Sequence, residues 1–229
     1  MKNRNVSKIS ICEKAKALGI FIAYTEVDNI KVENTTGALE EEIRKIEEKY
    51  RKLNPDELKN DPVIRAYRDF YWKIKIDPTK TRPSGEALRR RISRNGNLPR
   101  INNVVDIGNL VSANTLVPIG IYDRARFKYP LTLRMSKGDE VFYGIGKKDA
   151  EKIEPNIPIL VDSEGKVMHI YPHRDSTLTN IIQSTKDVLI IGAGVPNVSE
   201  ELVKNAVASV AELLSKYANG SWNKEVYVI

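Results

Sequence analysis

The spacing of apolar positions predicts a chain that alternates short strands with amphipathic helices. Residues 9–12, 19–23 and 30–32 form short apolar runs that are typical of strands, and residues 13–18 favour a helix between the first two. Over residues 38–53, apolar side chains keep to one helical face, while glutamates stand four positions before lysines or arginines. This segment is therefore predicted to be a surface helix lying on the body of the protein.

The next predicted helix begins at Asp61, after a linker over residues 54–60. Asp61 can accept hydrogen bonds from the first backbone N–H groups, and Pro62 suits the first helical position because its missing N–H costs nothing there. An aromatic cluster follows, and we expect most of its rings in the core and the ring of Trp72 at the surface, where it can stack on a base. The cluster comprises Tyr67, Phe70, Tyr71 and Trp72.

Three further helices are predicted behind residues that suit N-caps, namely Ser84, Asn102 or Asn103, and Ser199. The second of them covers about residues 104–114. Strands are predicted at residues 117–121, 131–135, 157–162, 167–170, 188–191 and 225–229, the third and fourth as a hairpin. The predicted fold class is therefore α+β, with helices packed on mixed β-sheets. Residues 1–60 are expected to form an amino-terminal strand-helix segment packed on the body, and residues 61–229 the main domain.

Composition places the chain among ordinary globular proteins. Of its 229 residues, 41% are hydrophobic and 29% are charged, so it is not a disordered chain. Its single cysteine, Cys12, excludes an internal disulfide and a cysteine-based zinc site. Residues 1–5 lead into no apolar core of signal-peptide type, and no run of about 18 apolar residues occurs. We therefore expect a cytoplasmic protein with no membrane partner.

Positive charge is concentrated in one stretch of the chain. The formal net charge is +7, and between Lys80 and Arg100 seven cationic side chains stand against one acid, Glu86, a difference of +6. Such a stretch either contacts nucleic-acid phosphates or forms a solvated face with no ligand. Consecutive arginines cannot all point one way, so we expect one or two of them beside the core or paired with acids. The candidate RNA-binding residues are Lys80, Arg82, Arg89, Arg90, Arg91, Arg94 and Arg100.

Polar side chains interrupt the apolar pattern at two places. In the stretch of residues 98–123, Asp106 and Asn109 lie three positions apart and so share one helical face. They either orient a substrate amine or hydroxyl, or they tie the helix to neighbouring backbone. Residues 174–176 form a second polar run between apolar strands. That run is either a site loop with Arg174 facing an anion, or a turn held by Asp and Ser side chains.

The two histidines do not predict a metal site. His169 and His173 are four positions apart, a spacing that can bind a metal when both lie on a helix. Pro172 and the strand pattern argue against a helix here, and no third ligand is nearby. We therefore expect neither a metal nor a cofactor.

The central stretch also carries a resemblance to a known family. Leu-Pro-Arg-Ile-Asn at residues 98–102, Val-Val-Asp at residues 104–106, then Asn109, Pro118 and Tyr-Asp at residues 122–123 stand in the order that is typical of it. The chain thus resembles the tRNA-editing module of the phenylalanyl-tRNA synthetase β chain, formed by that chain's third and fourth domains. The resemblance extends from about residue 67 to about residue 194 and includes the polar run at residues 174–176.

The resemblance implies a function but not a complete mechanism. The editing module hydrolyses tyrosine wrongly attached to the tRNA for phenylalanine, and it also occurs as a free-standing protein. In bacterial members a histidine and a glutamate belong to the site, and the matching positions here are Gly120 and Ile191. Asn109 keeps its match. The resemblance therefore implies tRNA or aminoacyl-tRNA as the partner, without transferring the bacterial mechanism.

Three functions follow, depending on whether the pocket has other catalytic groups or only binds. The chain is either a deacylase acting in trans on mischarged aminoacyl-tRNA, a non-catalytic RNA-binding module, or a binder of a free amino acid or related metabolite. No adenylate-forming site is visible, so it is not expected to be a complete tRNA ligase. For the first function, the candidate catalytic residues are Asn109, Asp175 and Asp106, and the candidate substrate-binding residues are Asn103, Arg174 and Ser176.

Overall fold

The computed structural model describes residues 8–229, in which six helices pack on a five-stranded, a four-stranded and a two-stranded sheet. In chain order the elements are β1 (Ile9–Ile11), α1 (Glu13–Lys16), β2 (Phe21–Val27), α2 (Gly37–Arg51), α3 (Pro62–Lys73), α4 (Ser84–Asn95), α5 (Asn103–Thr115), β3 (Ile119–Asp123), β4 (Leu131–Met135), β5 (Val141–Phe142), β6 (Glu151–Lys152), β7 (Pro158–Val161), β8 (Val167–Ile170), β9 (Arg174–Asp175), β10 (Val188–Gly194), α6 (Glu200–Tyr217) and β11 (Tyr227–Val228). Short 3₁₀ turns lie at Leu58–Asn60 and Arg124–Arg126.

The two larger sheets have different character. The five-stranded sheet has the order β1-β4-β7-β8-β9, and it is mixed because β1 runs parallel to β4 while the other pairs are antiparallel. The four-stranded sheet has the order β11-β2-β10-β3 and is antiparallel throughout. The predicted α+β class with helices on mixed sheets is confirmed, and so is the predicted β7–β8 hairpin.

A single large core joins both sheets to the helices. Helix α6 covers β2 and β10, and α5 packs beside it over β3. Every residue of β10 is buried, because the strand lies between β2 and β3 and under α6. Side chains of β4 and β8 in the other sheet, such as Leu133 and Met168, belong to the same cluster. No helix among residues 8–229 combines the length and the apolar character needed to cross a membrane.

Close packing of α4 against α5 places the arginine-rich helix beside the central helix. Gly85 lies in the first turn of α4, and a Cβ added to it would stand 2.6 Å from the Cα of Leu116. Leu116 follows α5 in a left-handed conformation, with φ 69°. A side chain at position 85 would therefore push the two helices apart, so glycine there determines how near α4 lies to α5.

Most predicted helix starts are confirmed by their caps, with one exception. The Asp61 carboxylate accepts a hydrogen bond from Val63 N at 2.9 Å, and the Asn102 and Ser199 side chains each accept one from the backbone N–H of the third residue beyond them. The predicted Ser84 cap is wrong. Ser84 is the first helical residue of α4, and its hydroxyl lies 3.3 Å from the Ser112 hydroxyl instead.

Some predicted strands differ from the structure because turns displace or replace them. Residues 30–32 are not a strand, since Ile30 N bonds to the Lys186 carbonyl and Lys31 N to the Ala218 carbonyl, in two different segments rather than along one partner strand. The strand predicted at residues 117–121 begins two residues later, at Ile119, because α5 extends to Thr115 and a turn follows it. The predicted final strand is reduced to the two residues of β11.

The boundary expected near residue 60 stays a prediction. The first seven residues lie outside the described part of the chain. Within the described part, β1 pairs with β4 and β2 pairs with β10, so each of the two larger sheets combines a strand from before residue 60 with strands from after it.

The predicted placement of the aromatic cluster is confirmed. Tyr67, Phe70 and Tyr71 are buried in the core, and the side chain of Trp72 is 56% exposed.

We expect Gly85→Ala to destabilise the protein by about 1 to 3 kcal/mol, because the new methyl group overlaps the Leu116 backbone, which cannot move aside as a side chain can. Urea denaturation measures the free energy of unfolding. Asn95→Ala, at an exposed position of the same helix, is the control and should change it by less than about 0.5 kcal/mol. Equal stability of the two variants would contradict the packing constraint.

Candidate functional site

Two cavities lie next to β9, and consecutive residues of that strand belong to different ones. Arg174 lines a cavity of about 630 Å³, and Asp175 lines a cavity of about 210 Å³. Neighbouring side chains on a strand point to opposite faces, so this division follows from the extended backbone at β9. The smaller cavity is called the apolar pocket below, and the larger one the basic cleft.

The apolar pocket is enclosed mainly by aliphatic side chains of α5, β3 and the loops around β9. Its volume lies below the roughly 300 to 1,000 Å³ that is common for small-molecule sites, so it suits one amino-acid side chain better than a nucleotide. Three polar residues, Asn109, Asp175 and Asn180, interrupt the aliphatic lining. The other lining residues are Ile101, Val105, Gly108, Ile119, Ile121, Ile145 and Ile181.

Helix α5 presents Asn109 to this pocket. The preceding residue, Gly108, lies against β3, where an added Cβ would stand 3.0 Å from Ile121 Cδ1. Glycine thus allows close packing of α5 on β3 and brings the next residue to the pocket wall. The Asn109 side chain is half-buried and has no hydrogen-bond partner among residues 8–229. Its amide is therefore available to a ligand.

Asp175 is held from beneath the pocket by two buried side chains. Its Oδ1 atom accepts a hydrogen bond from the Tyr122 hydroxyl at 2.6 Å and lies 2.7 Å from His169 Nδ1. Burial, and then the negative charge of Asp175, hold the pKa of Tyr122 well above its ordinary value. Tyr122 consequently stays a hydrogen-bond donor at neutral pH. Within the described chain Oδ2 has no partner, so one carboxylate oxygen is fixed and the other is free.

Gly120 and Ile191, where the resemblance implies a histidine and a glutamate in bacterial members, are direct partners in the β3–β10 pairing. Ile191 is buried. A Cβ added to Gly120 would overlap the Tyr122 hydroxyl, the group that bonds to Asp175. Tyr122 thus occupies the space that a side chain at position 120 would need.

The basic cleft lies between α4, the segment before it, and the turn from β8 to β9. Its lining contains no carboxylate. Arg90 is nearly buried in the wall and pairs with Glu86 Oε1 at 2.8 Å. The other cations of the lining have no ion pair and no side-chain hydrogen bond among residues 8–229; they are Lys80, Arg82, Arg91, Arg94 and Arg174. These unpaired charges give the cleft a strongly positive potential.

Two of the seven candidate RNA-binding residues point away from the cleft. Arg89 donates to the carbonyls of Ala113 and Asn114, at 2.7 and 2.8 Å, and so joins α4 to the end of α5. Arg100 pairs with Glu40 and Glu47 of α2, each at 2.8 Å. The expectation that one or two of the consecutive arginines lie beside the core or pair with acids is confirmed by Arg89, which bonds to α5, and by Arg90, which pairs with Glu86.

Comparison with known proteins places this geometry in a family. The B3/4 domain matches residues 66–219, more than half of the chain. The chain belongs to the B3/4 domain family. It is also similar to the phenylalanine–tRNA ligase beta subunits of Methanococcus maripaludis strains C5 and C7, at 31% and 32% identity, each match covering 41% of this chain and 21% of the relative. The chain thus spans about a fifth of the length of these curated relatives.

Among solved structures, this B3/4 domain protein is similar to a crystal structure of an N-terminal fragment of the phenylalanyl-tRNA synthetase beta subunit from Pyrococcus horikoshii. The TM-score is 0.49 and the sequence identity is 18%, with 96% of this chain and 53% of that chain covered.

Three other candidate site residues of the B3/4 domain lie outside both cavity linings. Asn103 bonds to Glu33 N and to the carbonyls of Lys31 and Tyr217. Asp106 accepts from the Thr35 hydroxyl at 2.6 Å and from Ile101 N at 2.9 Å, and burial raises its pKa. Ser176 is fully buried and accepts from Leu178 N. Asn103 and Asp106 tie neighbouring segments together, Asp106 at Ile101 in the lining of the apolar pocket, whereas the Ser176 side chain holds a local turn.

The histidines of the B3/4 domain are separated by the strand that divides the cavities. His169 contacts Asp175, whereas His173 lines the basic cleft. No group of three or more His, Cys, Asp or Glu side chains within residues 8–229 is arranged to hold a metal ion. The sequence did not predict that Tyr122 and His169 contact Asp175, or that His173 lines the basic cleft. Of the three, only Tyr122 belongs to the motif on which the resemblance rests.

We expect Asn103→Ala to lower the free energy of unfolding by about 2 to 3 kcal/mol, because this buried side chain makes hydrogen bonds to backbone groups of Lys31, Glu33 and Tyr217, which would lose their partner. Asn109→Ala should lower it by less than about 0.5 kcal/mol, since that amide makes no bond within the described chain. Urea denaturation of both variants, with circular dichroism of the native states, makes the comparison. A large loss of stability in Asn109→Ala with none in Asn103→Ala would contradict both the ligand-facing position of Asn109 and the structural role of Asn103.

Proposed function

We propose that this B3/4 domain protein binds the 3′ end of aminoacyl-tRNA and, acting in trans, hydrolyses the ester of a mischarged amino acid. The observation that supports this most directly is the position of the two cavities on either side of β9. An apolar pocket of single-residue size with a free carboxylate oxygen lies one residue along the strand from a cationic cleft without acids. An amino acid esterified to RNA needs an apolar surface for its side chain and a cationic surface for the neighbouring phosphates.

In the proposed complex, the amino-acid side chain fills the apolar pocket. The α-ammonium group donates to the free Oδ2 of Asp175, whose other oxygen is held by Tyr122 and His169. The Asn109 amide orients the ester carbonyl or the attacking water. Water adds to the carbonyl carbon, the bond from that carbon to the ribose oxygen breaks, and the ribose oxygen takes up the proton. The neighbouring ribose hydroxyl of the substrate assists this transfer.

RNA contact is proposed for the exposed, unpaired cations of the cleft. Guanidinium groups bind phosphate through paired hydrogen bonds, and binding releases counterions from the RNA. Arg89 and Arg100 are not proposed to contact RNA themselves. Their guanidinium groups join helices of the fold, so they contribute to the RNA-binding surface only indirectly. Arg90 holds the cleft wall through Glu86.

The relatives' name supports the choice of tRNA as the partner. Two of them are called phenylalanine–tRNA ligase beta subunits, and this chain matches about a fifth of their length. The proposal therefore concerns one module of such a subunit and not the charging of tRNA. The proposal also includes a cytoplasmic location, as expected from the sequence.

A second candidate function is RNA binding without hydrolysis. The Gly120–Ile191 pair favours it, because two apolar positions face each other where the resemblance implies polar side chains in bacterial members. In that case the cleft would act alone, and the apolar pocket would hold an amino acid without reaction.

The deciding experiment is deacylation of a panel of mischarged tRNAs by the purified protein. We expect preferential release of one amino acid, and a fall of about 10²-fold or more in the rate for Asp175→Asn and Asn109→Ala, because each removes a group that positions the ester. RNA affinity should change less than about twofold in these variants, since neither residue lines the cleft.

Asp69→Asn is the matched control for this experiment, because Asp69 is exposed and lines neither cavity. It should keep the full rate. Binding of RNA without release of any amino acid would instead support the second candidate, and full activity of Asp175→Asn would exclude the assigned position of the α-ammonium group.

The RNA surface has its own prediction. The double change Arg91→Gln and Arg94→Gln should lower the slope of log affinity against log salt concentration by about 1.4, since each phosphate contact of single-stranded RNA contributes about 0.7. Filter binding at several salt concentrations measures it. The control is Arg65→Gln with Lys204→Gln, two exposed cations outside the cleft. Equal slopes for both double variants would remove the cleft from the RNA surface.

A further inference from the structure

An exposed tyrosine lies beside the apolar pocket and makes no side-chain contact that the fold requires. In the extended segment of residues 141–145 burial alternates, with the even-numbered positions buried and the odd-numbered positions exposed. Tyr143, in the middle of this segment, is 46% exposed. Its side chain has no hydrogen bond and no ring contact within residues 8–229. Single exposed apolar side chains are common, but three at alternate positions form a continuous apolar face.

Strand pairing directs this exposed face to the side of the apolar pocket. Residues 143–145 run antiparallel to residues 175–177, with hydrogen bonds of 2.9 and 2.7 Å at the two ends of the pairing. Ile145 lies opposite Asp175, and both residues line the apolar pocket. Tyr143 lies two positions before Ile145 on the same face, which corresponds to about 7 Å along an extended strand.

The opposite face of the segment is packed, and this packing fixes the orientation of Tyr143. Phe142 is fully buried in a small core of its own. A Cβ added to Gly144 would stand 2.8 Å from Arg174 Cδ and 3.0 Å from the Phe142 ring, so no room remains on that side. Tyr143 is therefore held outward by the packing behind it and not by contacts of its own ring.

We propose that the ring of Tyr143 stacks on the base of the terminal nucleotide of aminoacyl-tRNA. This rests on the proposed function, in which the α-ammonium group of the ester lies at Asp175. The base is attached to the same ribose as the ester. With the amino acid in the apolar pocket, the base consequently lies within about one sugar ring of the pocket mouth, where Tyr143 and Ile145 present an apolar surface. Aromatic side chains are the usual stacking surface for unpaired bases.

The size and position of this surface favour a base over a protein partner. Three exposed side chains are far fewer than the roughly 20 to 30 residues a side of a stable protein interface. One flat ring, in contrast, needs only a surface of this size. The unpaired cations of the basic cleft lie on the other side of β9. The phosphates of the RNA end and its last base can thus each meet a surface of matching chemistry.

The test compares two RNA probes that differ only in the terminal base. Each is a single-stranded RNA of about four nucleotides, labelled with a fluorophore at its 5′ end, whose last ribose carries tyrosine through a stable 3′-amide. One probe ends in adenosine, and the other lacks that base. Fluorescence anisotropy measures their affinities for the unmodified protein, Tyr143→Ala and Tyr143→Phe. The comparison does not depend on which amino acid the pocket prefers, because both probes carry the same one.

We expect the unmodified protein to bind the adenosine probe about tenfold more tightly than the abasic probe. Tyr143→Ala should lose this difference, and Tyr143→Phe should keep it, because stacking uses the ring face and not the hydroxyl. The affinity for the abasic probe should agree within about twofold in all three proteins, since neither cavity is altered.

Tyr227→Ala is the matched control. Tyr227 is 48% exposed, belongs to the four-stranded sheet and lines neither cavity. This variant should keep the tenfold difference between the probes.

Each other outcome decides against the base contact or against the proposed function. Loss of affinity for both probes in Tyr143→Ala would place the ring against the amino acid or the ribose, and an unchanged base preference in that variant would place the base elsewhere. Equal binding of both probes by the unmodified protein would exclude stacking but leave the proposed RNA binding intact. Failure of both probes and of mischarged tRNA to bind would contradict the proposed function itself.

Discussion

The arrangement of the site depends on a strand of two residues. Strand β9 pairs with β8 in antiparallel register, His169 opposite Asp175 and Ile170 opposite Arg174, and this pairing fixes which way each side chain points. Arg174 consequently joins the cationic cleft, and Asp175 joins the apolar pocket. A slip of one residue would exchange a cation and an anion between the two cavities. The hydrogen bonds from Ile145 N to Asp175 O and from Ser176 N to Met168 O hold the strand against such a slip.

Buried ion pairs of α4 neutralise the charges beneath the cleft, which leaves the exposed cations of the cleft available to a ligand. Glu86 is fully buried and pairs with both Arg68 and Arg90, which neutralises the inner side of α4. Removing Glu86 would leave Arg90 unpaired in the wall, a costly arrangement for a buried charge. Arg89 is likewise satisfied by carbonyls at the end of α5. Arg82, Arg91 and Arg94 can therefore face the cleft without an ion pair within residues 8–229.

The sequence predicted what is local and missed what requires two distant segments. Asp61, Asn102 and Ser199 were identified as caps because capping joins residues two or three positions apart. The β7–β8 hairpin followed from alternation and turn residues in the same way. The bond between Tyr122 and Asp175 joins residues 53 positions apart, and no periodicity reveals it. Arg89 bonds to the end of α5 while Arg91 lines the cleft, and this difference depends on the close packing of α4 against Leu116, which the sequence pattern does not reveal.

The proposed hydrolysis does not require the two bacterial side chains, and the position of Tyr122 is the reason. Its hydroxyl lies over Gly120 and bonds to Asp175, so position 120 is used to fix a carboxylate rather than to supply a base. General acid–base catalysis contributes about 10² to 10⁴ in rate, whereas holding reactants in a productive orientation contributes up to about 7 to 11 kcal/mol, a far larger factor. An aminoacyl ester is already activated and carries a hydroxyl beside the bond that breaks. Under the proposed function, a pocket that only orients this ester and a water molecule therefore retains a contribution larger than the one that general acid–base catalysis would add.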